Sequence, residues 1–283
     1  LKTAVTIAGS NAKDSAFVVW RGFQESIEKA ARYGYDGVEL ALKGAEEIHA
    51  GELRRWLRDS HMEVSCITTG QVFADRGLYF THPEPEVRKK TIEVFSGLID
   101  LAEEFGGIVN AGRSRGFVGT GQSRKEAEAL FVDTMQILCD RAALRQVELL
   151  IEPVNRYEIN FINNLDQGAE ILSKVGRRNC GIHADVFHMN IEDDKIGESL
   201  IRNGNWIRYV HLADSNRLAP GLGHLDFHEV MEALKEIHYQ GWVSVEILPG
   251  ADPDDMAKKA IGYIKPLVME YNGETEKRGE VLP

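Results

Sequence analysis

Residues 147–152 read Val-Glu-Leu-Leu-Ile-Glu, a short apolar run that closes on a carboxylate, and a helical pattern follows at 165–176. The same figure returns at 180–185 (CGIHAD), 206–213 (WIRYVHLA) and 242–247 (WVSVEI), with helices expected over 194–203, 226–239 and 254–270. A β-branched run with an amphipathic period behind it is one βα unit. Upstream, runs at 3–8, 36–41, 62–68 and 107–112 precede helical stretches at 22–33, 50–60, 85–106 and 123–146. Eight βα units in 283 residues predict a single (β/α)8 TIM barrel over 1–271, followed by a polar C-terminal extension, 272–283, without apolar period. A doubly wound open sheet would place G-x-G-x-x-G behind its first strand, and Gly9-Ser10-Asn11 offers none. The glycine-rich stretches 112–121 and 221–223 follow strands four and seven, on the face where barrels keep their active sites.

The chain is 43 % hydrophobic and carries 33 basic against 44 acidic residues, a formal charge of −11. No basic run is present, so nucleic acid and anionic membranes are not expected partners. Cys66, Cys139 and Cys180 show neither framework nor C-x-x-C spacing. With no membrane-length apolar run and no leader-like pattern over 1–20, a cytoplasmic protein is expected. Trp20, Trp56, Trp206 and Trp242 are scattered and read as packing residues.

The last four predicted strands end on metal-capable side chains: Glu152, Asp185, His211 and Glu246. The barrel gathers its strand ends at one mouth, where charges directed into a low-dielectric interior need a partner. One divalent cation would satisfy three carboxylates at once. A set of three carboxylates and one imidazole, without thiolate, favours Mn²⁺, with Mg²⁺ or Co²⁺ as substitutes. A cation beside a ketone and its neighbouring hydroxyl would acidify the hydrogen between them. Glu152 and Glu246 could then remove the proton on one face and return one on the other, inverting that carbon.

The segments IEPVNRYE (151–158), DVFHMNIE (185–192) and VHLADSNRLAPGLGHLDF (210–227), with the Glu246 strand, resemble the xylose-isomerase-like barrel family. The resemblance is to its D-tagatose 3-epimerase group, nearest the members related to 5-keto-L-gluconate epimerase. It implies Glu152, Asp185, His211 and Glu246 as metal ligands and Glu158, His188 and Arg217 as substrate contacts. On that reading His188 and Arg217 stabilise the developing enediolate oxygen, while Glu158 orients a terminal hydroxyl or His188. The implied substrate is a keto-sugar or keto-sugar acid, and the implied assembly is a homodimer or tetramer. Apurinic-site endonucleases share part of the pattern but need further histidines on earlier strands, where this chain has Thr68-Thr69-Gly70-Gln71 and Asn110-Ala111-Gly112-Arg113. An aldose–ketose isomerase or dehydratase begins with the same proton abstraction and is the main alternative.

The remaining polar residues divide by context. His183 reads as a satisfied core histidine or as one that steadies a ligand. Asp226 reads as a helix N-cap with Glu229 completing a capping box, and His224 as a loop residue near the mouth. Arg113 and Arg115, after strand four, are placed where ketohexose-specific relatives carry an aromatic residue. Two guanidinium groups there would suit a substrate carboxylate.

Overall fold

The computed structural model describes residues 1–13 and 17–279, with side chains through 273. Its parallel barrel strands are Lys2–Ala8, Gly37–Ala41, Glu63–Thr68, Ile108–Asn110, Glu148–Ile151, Cys180–Asp185, Ile207–His211 and Trp242–Val245. The first pairs with the last, Lys2 opposite Trp242 through Val5 opposite Val245, and this closes the sheet. Closure gives each of the eight barrel strands a neighbour on both sides. A two-residue strand, Trp20–Arg21, pairs with Ile7 and Ala8, above the point where the eighth strand's pairing ends.

The eight expected helices are present, and their apolar stripes pack outside the barrel into one large core that contains Phe80, Phe95 and Phe131. Inside, Cys66, Leu150 and Tyr209 form a separate small cluster. The fourth strand is shorter than expected because Gly106 and Gly107 form a turn at φ 83° and 68°, and Gly112 opens a 3-10 turn, Gly112–Arg115. Two helices were not expected, Gly70–Arg76 and Val186–Glu192, each of 7 residues and thus too short to show a period. The last helix, Pro253–Gly279, continues past the boundary expected at 271 and takes in most of the extension. Asp226 caps the helix Phe227–Glu236, accepting from His228 N and Glu229 N at 2.9 and 3.3 Å. The capping box is not completed: Glu229 Oε1 instead accepts from Gly197 N at 3.0 Å. Among the described residues no helix is long and apolar enough to cross a membrane.

Candidate active site

Each of the four predicted ligands stands at a strand end. Asp185 closes the sixth strand in register with His211 on the seventh, and Glu152 and Glu246 directly follow the fifth and eighth. Donor atoms of all four lie within 4.8 Å of one another. His211 Nδ1 is 3.5 Å from Asp185 Oδ2 and 3.9 Å from Glu246 Oε2. Asp185 also caps the short helix that follows, its Oδ1 accepting from Phe187 N at 2.9 Å, so its backbone is held while Oδ2 faces the centre. Asn110 Nδ2 donates to Glu152 Oε2 at 3.0 Å.

The strongest restraint on His211 comes from Glu39, a residue the sequence reading passed over. Glu39 is fully buried in the second strand, and its Oε2 accepts from His211 Nε2 at 2.8 Å and from the Tyr209 phenol at 2.9 Å. With Nε2 donating, the Nδ1 lone pair is turned to the cluster, where it is buried without a hydrogen-bond partner. Such carboxylate–histidine pairs commonly orient a metal ligand. Burial opposes protonation of His211, yet Glu39 and Asp185 hold its pKa well above the usual range, so without a cation a proton is favoured on Nδ1, and a bound cation would take that proton's place.

Arg217 sits inside this charge cluster. Its Nη1 donates to Asp185 Oδ2 at 2.6 Å and its Nη2 to Glu246 Oε2, while Phe187 and Phe17 cover the guanidinium at 4.7 and 5.1 Å from their ring centres. It therefore faces the carboxylates and not the open cleft, unlike the expected substrate contact. Its backbone is left-handed, φ 61°, held by Arg217 N donating to Asp214 O at 2.8 Å. Buried Asp214 ties the glycine-rich loop together, accepting from Gly221 N and Leu225 N at 2.8 and 3.2 Å.

With all three carboxylates ionised, one guanidinium would leave two negative charges for a cation to balance, and among the described residues His211 Nδ1 has no hydrogen-bond partner beside them. These residues fit a divalent cation by charge, by donor type and by proximity. Burial, aided by Glu246, pushes the Glu152 carboxyl up to about 8. Burial also raises Glu246, in spite of Arg217. Asp185 is held well below its usual range against its own burial, chiefly by Arg217.

His188 is buried, with Nε2 3.8 Å from both Glu152 Oε1 and Asp185 Oδ2. Asn155 Nδ2 donates to His188 Nδ1 at 2.8 Å and to Glu158 Oε1 at 3.0 Å. The accepting Nδ1 fixes the tautomer whose Nε2–H points to the centre. Burial pushes the His188 pKa down to about 3, so the ring is a neutral donor. Asn155, a second residue the sequence reading missed, thus links Glu158 to His188.

A cleft opens over this floor, lined by Glu152, Glu246, His188, Glu158, Asn110, Thr68, Gln71 and Arg113 among others. The Arg113 guanidinium lies 5.9 Å from the Phe73 ring centre, and among the described residues no carboxylate pairs with it. Arg115 corrects the expectation made for it. It is fully buried and absent from the cleft wall, and it donates to Gly112 O, Phe161 O and Ile162 O at 3.0, 2.8 and 2.7 Å. Its two Nη groups clamp two loops together. His224 is also apart from the centre, 2.9 Å from Ser215 Oγ.

A closed parallel barrel with a buried carboxylate–histidine cluster at its mouth defines the class. The chain belongs to the xylose isomerase-like TIM barrel family, whose model matches residues 27–267. Within it the chain is an enzyme of the isomerase class, and the relatives it matches include carbohydrate epimerases. It is 30 % identical over 264 residues to the L-ribulose 3-epimerase of Methylomonas sp. (strain DH-1), covering 86 % of this chain and 91 % of that one. It is 28 % identical to the D-psicose 3-epimerase of Ruminiclostridium cellulolyticum over 78 % of this chain and 76 % of that one. A crystal structure of a Methylomonas D-allulose 3-epimerase superposes with a TM-score of 0.78 at 27 % identity, over 94 % of this chain and 97 % of that one.

Proposed function

We propose that the chain is a divalent-metal-dependent epimerase of a ketose or keto-sugar acid, with Glu152 and Glu246 as the proton-moving pair. The observation that carries this reading is the four-donor cluster on the cleft floor, with the His211 Nδ1 lone pair held toward it by Glu39. Glu152, Asp185, His211 and Glu246 would hold the cation, and three oxygens with one nitrogen favour Mn²⁺ over softer ions. When bound, it would polarise the substrate carbonyl and acidify the adjacent C–H.

The protein's own residues supply the rest. Glu152 takes a proton from the carbon and Glu246 returns one, or the reverse; both line the cleft floor, Glu152 buried and Glu246 partly exposed. Asn110 fixes one oxygen of Glu152, and His188 presents its Nε2–H to the oxygen on which charge develops. Arg217 holds Asp185 and Glu246 in place. The unpaired Arg113 on the cleft wall supports an acidic far end on the substrate, such as a uronate carboxylate. The three cysteines are free and buried, which supports a reducing, cytoplasmic setting.

The test is a panel of ketoses and keto-uronates incubated with Mn²⁺ and followed by chromatography. Epimer formation should fall at least ~10²-fold in Glu152→Gln and in Glu246→Gln, the usual size of a general acid/base contribution. Near-parental turnover by either variant refutes the two-carboxylate reading.

A further inference from the structure

His183 lies two residues before Asp185 on the same inward face of the sixth strand, one layer deeper in the barrel. It is completely buried, and among the described residues neither ring nitrogen has a hydrogen-bond partner. The ordinary account of a core histidine requires at least one such bond, because an unsatisfied buried polar group costs about 1–3 kcal/mol. Its register neighbour is Tyr209, whose phenol is already taken up by Glu39 at 2.9 Å and Ser65 at 2.6 Å. The ring instead stands edge-on to His211, 3.9 Å between centroids at 77°. Donor atoms of Glu152, His183 and His211 lie within 4.8 Å of one another.

We propose that His183 forms a second, deeper cation position with Glu152 and His211, one that takes a borderline ion such as Zn²⁺ and overlaps the four-residue position. The inference rests on the reading that the upper cluster holds a divalent cation. Donor–ion distances near 2.1 Å allow two ligands of one ion to be about 4 Å apart, so shifts of under an ångström would bring the three donors into range. Two imidazoles and one carboxylate make up a set typical of zinc, whereas three carboxylates and one imidazole are harder. Because Glu152 and His211 belong to both sets, an ion in one position competes with an ion in the other. The barrel would thus bind Mn²⁺ above and Zn²⁺ below, and Zn²⁺ would displace Mn²⁺.

The test uses the full chain stripped of metal, in parental form and as His183→Leu and His183→Gln. Zn²⁺ and Mn²⁺ affinities are measured by competition with a chromophoric chelator. Zn²⁺ affinity should fall at least ~10-fold in both variants while Mn²⁺ affinity changes by less than ~3-fold, the selective loss expected when one ligand of one position is removed. Unchanged Zn²⁺ affinity, or an equal loss for both ions, overturns the proposal. Zinc-edge X-ray absorption on the unaltered protein needs no variant: two coordinated imidazoles support the deeper position and one overturns it. Failure of the parent to bind Mn²⁺ at all would instead refute the upper centre.

Discussion

Replacing Glu39 tests whether the site is built from below. Glu39 is fully buried, and its Oε2 receives both the His211 Nε2–H at 2.8 Å and the Tyr209 hydroxyl at 2.9 Å, while its Oε1 has no partner. In Glu39→Gln the amide oxygen can occupy the Oε2 position and keep both bonds, so the charge is lost and an NH2 group takes the unpartnered Oε1 position. Glu39→Leu removes charge and bonds together and frees the imidazole to take the other tautomer or rotate. Loss of a carboxylate that orients a metal-bound histidine typically costs 10–100-fold in metal affinity, or about 1.4–2.8 kcal/mol. The structure places Gln near the lower figure and Leu near the upper. Titration of metal-free protein with Mn²⁺, followed by the loss of the free-ion EPR signal, measures both. Parental affinity in Glu39→Leu would refute the argument, since His211 would then need no support from below.

Three further outcomes are expected. Arg115→Met leaves three buried carbonyls without their donor; stability in urea should fall by about 3 kcal/mol or more, and a loss below ~1 kcal/mol would contradict the clamp role. Asp193 is pushed by burial from 3.8 to about 6, so it contributes stability below pH 3.8 that is lost as pH rises through 6. Asp193→Asn should therefore gain about 1–2 kcal/mol over the parent between pH 4 and 7, and an advantage that did not grow with pH would reject this. Arg113→Ala should raise KM for a keto-uronate about 10-fold while leaving a neutral ketohexose within ~2-fold. Equal effects on both would remove the sugar-acid reading.

The architecture and the four cluster residues were legible because both follow from periodicity. Strand length and helical period give the barrel, and a barrel brings its strand ends together whatever the sequence between them. Pairings across the barrel carry no such local mark. Glu39 and His211 are 172 positions apart. The one available signal was a charged residue within the five-residue apolar strand Gly37–Ala41, which must find a partner once buried. Asn155 lies between motif residues and is given its role only by the helix Val186–Glu192, which brings His188 to it. Arg115 failed as a substrate contact because a glycine-bounded arginine in a polar loop looks solvated. The turn at Gly112 and the segment 161–162 bury it against backbone carbonyls that a sequence does not display.

The most direct measurement is proton NMR of a responsive keto-sugar incubated with the Mn²⁺-loaded protein in D₂O. Removal and return of a proton at one carbon predicts deuterium only at the inverted centre, accumulating with the epimer. Deuterium at the neighbouring carbon would indicate aldose–ketose isomerisation, and loss of a hydroxyl would indicate dehydration. Inversion without any deuterium uptake would contradict exchange of the proton through Glu152 and Glu246.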